Sequence, residues 1–397
     1  MPIFRTDVKL KITEIKALVS ALPRSFVFAK VTTNDGYVGY GEAASDGAPE
    51  VRAASIERIG KTIIGMDPSN TEFAYYTMQN AFFGWPQEDT MRAIGAIDEA
   101  LLDIKGKALK TPVYNLLGGR FRDKVKLYCH IILNPGEKAT TETVAEGARK
   151  QIRLGYKAIK FDPFTAIFRQ DVGEKEIGFV SIPQGINNPM NYVTKALELV
   201  KAVRGEIGPE VELMLDIHGR FDVESAIRIG RLLEPYDLLF YEEPIPPCND
   251  ELLSYVRQRV NIPICVGERR YTLEDFRRLF ELNATDIIMP DQSRNGGTTL
   301  MKKVADLAQT HYVPIAPHVV FSSPLNAVIS AHTMVSVPNF LIHESMGPQR
   351  MELYKELLKP NVVIENGFLK VPSRPGFGVE LNEEKLDEIF DENSIGL

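Results

Sequence analysis

The feature that most constrains the fold of this chain is a set of three acidic residues at equal spacing. Asp216, Glu242 and Glu268 each lie 26 residues from the next, and each one follows a short apolar run. About 25 residues is the length of one strand, one helix and two loops, the repeating unit of a (β/α)8 barrel. The strands of a closed parallel barrel all point the same way, so the residues that end them converge at one mouth. We therefore predict an α/β fold with a TIM barrel whose mouth carries three carboxylates.

Three carboxylates at one mouth indicate a metal site. They would repel one another strongly unless a positive charge lay among them. Ligands that are all oxygen suit a hard dication, Mg²⁺ rather than Zn²⁺ or Cu²⁺. One acid at the end of a strand is commonly solvated or caps the next helix, but three at equal spacing favour a shared ion. Asp216, Glu242 and Glu268 are thus the predicted Mg²⁺ ligands.

The composition is that of a globular protein with a full apolar core, because 44% of the residues are hydrophobic and 25% are charged. The net charge of −7 argues against nucleic acid or an anionic membrane as a partner. The N-terminal residues lack the apolar stretch of a signal peptide, and no apolar run reaches the length of about 18 residues that a membrane span needs. We expect a cytoplasmic protein.

Strand and helix patterns divide the chain into three parts. The first 45 residues alternate like antiparallel strands around the hairpin signal Asn34-Asp35-Gly36, and residues 50–117 have helical spacing. We predict an N-terminal α+β capping domain over residues 1–123, a barrel over residues 124–355, and a C-terminal segment over residues 356–397 that packs back on the capping domain. Eight candidate barrel strands end near Leu133, Asp162, Asp216, Glu242, Glu268, Asp291, His318 and Glu344. The one long gap contains Pro163–Met190, which we expect to form a lid or specificity loop at the mouth.

Two histidines at strand ends are candidates for acid–base catalysis. Asp291 and His318 end neighbouring strands, about 4.8 Å apart in a sheet, so Asp291 can hold one ring nitrogen and leave the other as a general base. His218 lies two residues beyond Asp216 and therefore on the same side of its strand, where it can reach a metal-bound substrate. The alternatives are a structural His–Asp pair and a loop histidine bound to backbone.

Other strand ends supply three more candidates. Glu344 ends the eighth run and completes the ring, and Lys160 and Asp162 share one side of the second strand, where we predict that they bind substrate. A dication with an aspartate-supported imidazole beside it suits removal of a proton alpha to a carboxylate, because the metal stabilises the enediolate that forms. Protonation of a leaving β-hydroxyl by His218 would complete a dehydration.

Short motifs follow one another in a specific order along nearly the whole chain. They are Gly39-Tyr-Gly-Glu42, Ala96–Lys107, Leu116-Leu-Gly-Gly119, Glu242-Glu-Pro244, Gly267-Glu268, and Pro290-Asp291 with Gly296-Gly297. This ordered set resembles the enolase superfamily, mandelate racemase subgroup, and within it the acid-sugar dehydratases of the gluconate and galactonate type.

The resemblance implies a role for each candidate at the barrel mouth. The roles are Mg²⁺ ligand for Asp216, Glu242 and Glu268, general-base dyad for His318 with Asp291, general acid for His218, and hydrogen bonding to the substrate carboxylate for Glu344. It also implies an N-terminal domain that caps the barrel, with loops near Leu22–Phe26 and Ala44–Pro49 that close on the substrate. A homo-oligomer, an octamer or a dimer, is the assembly that the resemblance implies.

The second barrel strand departs from the pattern of the racemases in this family. They and several dehydratases carry Lys-x-Lys there, the second lysine being a base, whereas this chain has Lys160-Phe161-Asp162. Two-base racemisation is therefore not expected. The favoured hypothesis is an Mg²⁺-dependent hydro-lyase that converts an aldonate, gluconate or galactonate, to its 2-keto-3-deoxy product. The alternatives are a dehydratase for arabinonate, xylonate or mannonate, a racemase or epimerase of a 2-hydroxy acid, and a non-catalytic sugar-acid binder.

Overall fold

An antiparallel sheet covered by helices forms the N-terminal domain. The computed structural model of the protein describes residues 10–21, 26–81, 87–131, 133, 137–165, 167, 190–319 and 322–388. The strands of this domain are β1 (Ile12–Val19), β2 (Val27–Thr33) and β3 (Val38–Ala43), with β2 in the centre. Its helices are α1 (Pro49–Gly60), α2 (Thr71–Gln79), α3 (Glu88–Ala108) and α4 (Val113–Leu116). The turn at Asn34-Asp35-Gly36 joins β2 to its antiparallel partner β3, as the sequence predicts.

Helix α3 packs directly on strand β3 because two glycines let the two backbones approach. A Cβ added at Gly39 would lie 2.1 Å from the carbonyl oxygen of Ala100, and one added at Gly41 would lie 2.0 Å from that of Ala96. Both distances are far inside van der Waals contact, so no side chain fits at either position. The motif Gly39-Tyr-Gly-Glu42 therefore has a packing role in this domain.

Replacing Gly41 with Ala is expected to lower the free energy of unfolding by about 1–3 kcal/mol or more, the usual result of forcing atoms into a filled core. Chemical denaturation of the purified variant measures the change. Gly205 is the matched control, because it lies on an exposed helical turn with nothing within 4 Å of an added Cβ. Gly205→Ala should raise stability by about 0.5–1 kcal/mol, through the higher helix propensity of alanine. A Gly41→Ala variant as stable as the wild type would contradict the packing that the structure shows.

The second domain is a closed parallel barrel, which confirms the predicted fold class. Its first half comprises β4 (Lys124–His130), α5 (Thr141–Arg153), β5 (Ala158–Phe161), α6 (Met190–Ile207), β6 (Glu212–Asp216), α7 (Val223–Leu233) and β7 (Leu238–Glu242). Its second half comprises α8 (Asp250–Arg257), β8 (Ile264–Val266), α9 (Leu273–Glu281), β9 (Ile287–Ile288), α10 (Gly297–Thr310), α11 (Pro324–Val335), β10 (His343–Glu344) and α12 (Pro348–Leu353). Strands β4 to β9 pair in sequence, and β10 pairs with β4. Ile315 bridges Ile288 on one side and Phe340 on the other, so it fills the seventh of eight positions.

The first strand of the barrel ends earlier than predicted. Its predicted end is near Leu133, whereas β4 ends at His130. The apolar residues Ile131, Ile132 and Leu133 continue the hydrophobic run beyond the strand, which made the end impossible to place from hydrophobicity alone. Of the predicted lid, Pro163–Met190, only residues 163–165, 167 and 190 belong to the part of the chain that the structure describes.

The C-terminal segment contacts both domains. It contains β11 (Leu358–Lys359), β12 (Ile364–Glu365), β13 (Phe368–Lys370) and β14 (Glu380–Leu381). Strand β13 pairs antiparallel with β4 of the barrel. The backbone N–H of Phe377 donates to Asp103 on α3 (2.9 Å), and Lys107 of the same helix contacts Glu380 (2.8 Å). In the described residues, no helix is both long and apolar enough to cross a membrane.

Candidate active site

The barrel brings the three equally spaced acids to the same mouth. Asp216 and Glu242 are the last residues of β6 and β7, and they are direct partners in the register of these two strands. Glu268 follows β8 by two residues. All three side chains are buried, so their charges must be balanced by groups inside the protein.

Each of these acids contacts a different basic side chain. Lys160 donates to Glu242 (2.7 Å). His318 Nε2 lies 2.7 Å from Glu268, and His218 Nε2 lies 3.1 Å from Asp216. In this arrangement, no three acidic, imidazole or thiol side chains of the described residues are grouped as ligands of one ion.

The chemistry of the acids nevertheless fits a dication. Glu242 Oε1 is buried and has no hydrogen-bond partner among the described residues. Burial and the neighbouring carboxylate of Asp216 raise the pKa of Glu242 well above its usual range, although the ammonium of Lys160 opposes the shift. A divalent ion among these oxygens would satisfy the buried Oε1 and favour the ionised form.

His318 and Asp291 form the predicted dyad geometry. His318 Nδ1 lies 2.6 Å from Asp291 Oδ2, and the other carboxylate oxygen accepts from the backbone N–H (2.9 Å) and hydroxyl (2.7 Å) of Ser293. Asp291 is therefore held on both oxygens, and it holds the imidazole in turn. Burial opposes the charged form of His318, but Glu268, Glu344 and Asp291 together raise its pKa well above the usual range.

His218 has a carboxylate partner of its own. Its Nδ1 lies 2.8 Å from Asp162 Oδ2, and its backbone N–H donates to Asp216 (2.9 Å). Arg220 donates to the same oxygen of Asp162 (2.6 Å). Burial disfavours the charged form of His218, but Asp216 and Asp162 raise its pKa.

Lys160 and Glu344 lie together at the centre of the mouth. Lys160 Nζ is 3.0 Å from Glu344 Oε1, and its side chain is fully buried. The second oxygen of Glu344 accepts from the backbone N–H of Val319 (2.9 Å). Burial opposes the charge of Glu344, but Lys160 and His318 lower its pKa well below the usual range. Substrate binding by Lys160 and Asp162 stays a prediction.

Three residues at the site were not among the candidate site residues predicted from the sequence. His130 Nε2 lies 2.5 Å from Glu344. The predicted end at Leu133 puts this histidine inside the strand, whereas β4 ends at His130 and the ring reaches Glu344. Arg220 and Arg294 are buried arginines in the loops after β6 and β9. Their proximity in sequence to His218 and Asp291 is the signal that could have found them.

Arg294 connects the barrel mouth to the capping domain. It donates to Glu268 (2.9 Å) and to Asp46 (3.0 Å), and Asp46 also contacts Arg92 of α3 (2.6 Å). The backbone N–H of Ala44 donates to the carbonyl oxygen of Ser293 (3.1 Å). The predicted capping loop Ala44–Pro49 thus lies against the loop after β9. Of the other predicted capping loop, Leu22–Phe26, only Phe26 lies within the described residues.

Family models match both domains of the chain. The model described as "Enolase C-terminal domain-like" matches residues 143–385, and the model described as "Mandelate racemase / muconate lactonizing enzyme, N-terminal domain" matches residues 4–118. The chain belongs to the enolase superfamily, in the mandelate racemase and muconate lactonizing enzyme group.

Individual relatives and solved structures resemble the chain over nearly its whole length. The chain is 32% identical over 389 residues to the D-xylonate dehydratase of Haloferax volcanii, covering 95% of this chain and 88% of the relative. A member of the enolase superfamily from Salmonella Typhimurium has a similar structure, with a TM-score of 0.86, 29% identity and coverage of 95% of this chain and 97% of that one. A mandelate racemase/muconate lactonizing enzyme-like protein from Rubrobacter xylanophilus gives a TM-score of 0.85, 33% identity and coverage of 95% and 96%. Family and relatives together identify the chain as an enzyme of the hydro-lyase class.

Proposed function

We propose that the protein dehydrates an acid sugar with the help of bound Mg²⁺. The observation that carries this proposal is a pair of imidazoles, His318 and His218, which follow the seventh and third strand positions of the barrel and so lie on opposite sides of its mouth. Each ring has a carboxylate at Nδ1, at 2.6 Å for His318 and 2.8 Å for His218. Each Nε2 faces one of the acids proposed to hold the metal. Such a pair can take a proton from one side of a substrate and deliver one to a leaving group on the other.

The chain's own residues account for the proton transfers of this reaction. Asp291 holds Nδ1 of His318, so Nε2 is the nitrogen that accepts the proton from C2 of the aldonate. We propose that the ammonium of Lys160, which lies 3.0 Å from Glu344, binds the substrate carboxylate. Bound Mg²⁺, held by the three acids, would supply positive charge against the negative charge that develops on that carboxylate. Nε2 of His218 then gives a proton to the C3 hydroxyl, which leaves as water.

Gluconate and galactonate are the substrates that we propose first. Support comes from the stretches Lys160-Phe-Asp-Pro-Phe164 and His218-Gly-Arg-Phe221, which look most like gluconate dehydratase. The D-xylonate dehydratase relative favours xylonate as a second candidate. Xylonate has the same C2 hydrogen and C3 hydroxyl as the six-carbon acids, so the proposed proton transfers apply to it unchanged.

A panel of aldonates tests the proposal. The purified protein is incubated with gluconate, galactonate, xylonate, arabinonate and mannonate in D₂O containing Mg²⁺, and both α-keto acid formation and deuterium at C2 are followed. We expect keto acid from at least one of them. Deuterium or inversion at C2 without keto acid would favour a racemase or epimerase, and no reaction with any of them would favour a binding protein.

The contact between Asp46 and Arg294 predicts an effect on substrate binding. Asp46→Asn removes the charge that holds the capping loop against the barrel and leaves two buried arginines without it. A charge-assisted hydrogen bond contributes about 1.5–3 kcal/mol, so KM for the aldonate should rise about tenfold or more while kcat changes less. Steady-state kinetics of the variant and the wild type measure KM and kcat separately.

Asp89→Asn is the matched control for this prediction. Asp89 pairs with Arg52 within the capping domain, and its side chain is half exposed. This variant should have the KM of the wild type. An unchanged KM in Asp46→Asn would show that this ion pair has no part in covering the site.

A further inference from the structure

We propose that Asp162 is a positioning residue that acts through His218, in the position where the racemases of this family carry a catalytic lysine. The inference deepens the proposed function and rests on it, because it concerns the histidine that protonates the leaving hydroxyl. The residue that follows β5 at the mouth, a base in those racemases, here supports a second imidazole. It gives the barrel two dyads of the same construction, Asp291 with His318 and Asp162 with His218.

The two oxygens of Asp162 have separate partners. Oδ1 accepts from the backbone N–H groups of Phe164 (3.0 Å) and Thr165 (2.9 Å), as the side chain of a helix N-cap residue does. Oδ2 accepts from the Thr165 hydroxyl (2.6 Å) and from Arg220 (2.6 Å), and lies 2.8 Å from His218 Nδ1. A residue that only capped the turn after β5 would not need the contacts with Arg220 and His218.

Arg220, in the loop after β6, restrains Asp162. Its side chain is almost completely buried, and it donates both to Asp162 and to the carbonyl oxygen of Ile217 (3.2 Å), the residue before His218. It also bonds the Thr165 hydroxyl. Arg220 therefore ties the ends of β5 and β6 together and keeps the Asp162 carboxylate pointed at the imidazole.

This arrangement determines which nitrogen of His218 faces the substrate. The carboxylate of Asp162 at Nδ1, with Arg220 3.3 Å from the same nitrogen, fixes the plane of the ring. Nε2 is then directed toward Asp216, at 3.1 Å, and so toward the proposed metal and substrate. The same logic holds at His318, where Asp291 binds Nδ1 and Nε2 faces Glu268.

Asp162→Ala tests the role, with Asp222→Ala as the matched control. Asp222 caps α7, accepts from the N–H of Ser225 (2.9 Å), and follows His218 by four residues, so its loss removes a cap from the same loop without touching the imidazole. Loss of the partner that orients an active-site histidine typically costs 10- to 100-fold, and we expect about that decrease in dehydration for Asp162→Ala. The ratio of C2 deuterium exchange to dehydration should rise, because the base is intact and the intermediate returns to substrate. Asp222→Ala should leave both rates as in the wild type.

A double variant separates positioning from a general structural effect. If Asp162 acts only through His218, Asp162→Ala combined with His218→Asn should dehydrate no more slowly than His218→Asn alone. Losses that multiply, or an unchanged exchange ratio in Asp162→Ala, would overturn the proposal. If Asp162→Ala does not fold, Asp162→Asn takes its place, since it keeps the shape and loses the charge.

Failure of the proposed dehydration can be distinguished from failure of the positioning role of Asp162. In that case the wild type would form no keto acid from any aldonate, whatever Asp162 does. The crystal structure of Asp162→Ala then decides the inference without activity, because the His218 ring should turn away from its wild-type orientation. A ring in the same plane, with Nε2 in the same place, would refute a positioning role for Asp162.

Discussion

Glu242→Gln is expected to lose Mg²⁺-dependent dehydration by about 10³-fold or more, because a catalytic dication supplies several kcal/mol of charge stabilisation. Glu242 is the most buried of the three acids, and its Oε1 has no protein partner among the described residues. An amide at this position supplies one neutral oxygen in place of a carboxylate and so weakens the charge that holds the ion. Glu268→Gln should behave in the same way. Keto acid formation across a range of Mg²⁺ concentrations, together with circular dichroism to verify the fold, measures the effect.

The adjacent glutamate provides the control for this prediction. Glu243 is held by Arg269, which donates to it from Nε (3.1 Å). Glu243→Gln keeps a hydrogen-bond acceptor for that arginine and should retain the metal dependence of the wild type. Full activity of metal-free Glu242→Gln would contradict the assignment of the metal ligands.

Variants of the two active-site histidines are expected to lose different activities, because the two side chains act on different bonds. His318→Asn removes the base, so dehydration and deuterium exchange at C2 should both disappear. His218→Asn leaves the base and its Asp291 partner in place and removes the acid. Dehydration should then fall by about 10² to 10⁴, the usual contribution of a positioned acid or base. Exchange at C2 should survive when the intermediate is reprotonated before water leaves.

Nuclear magnetic resonance of the recovered substrate in D₂O measures both rates in one experiment. His332 is a suitable control, because it lies in α11 and its ring contacts the carbonyl oxygen of Phe377 in the C-terminal segment (3.0 Å). His332→Asn should keep the wild-type ratio of exchange to dehydration in the folded fraction. Near-wild-type dehydration by His218→Asn would show that this histidine is a loop residue without a catalytic role.

The sequence predicted the parts of the site that depend on strand ends. Side chains at the C-terminal ends of parallel strands meet at one mouth, so regular spacing was enough to place Asp216, Glu242 and Glu268 at that mouth. The same rule placed Asp291 beside His318. The rule missed His130, because apolar residues continue past the end of β4 and the end of this strand was therefore predicted too late.

Contacts between distant segments could not be predicted in this way. Asp46 and Arg294 are 248 positions apart, and their contact depends on how the capping domain sits on the barrel. The link from Asp162 to Arg220 depends on side-chain direction at the ends of two strands, which periodicity does not specify. The sequence predicts that Asp162 binds substrate beside Lys160 and marks it as the residue that replaces a lysine, whereas its contacts give it a partner in His218.

Removal and return of the metal test the central claim most directly. The wild-type protein is treated with a chelator, dialysed, and assayed for keto acid with the best aldonate of the panel before and after addition of Mg²⁺. We predict that activity is lost with the metal while the circular dichroism spectrum stays unchanged, and that Mg²⁺ restores it in the wild type but not in Glu242→Gln. Keto acid formation at the full rate by the metal-free wild type would contradict a dication held by Asp216, Glu242 and Glu268.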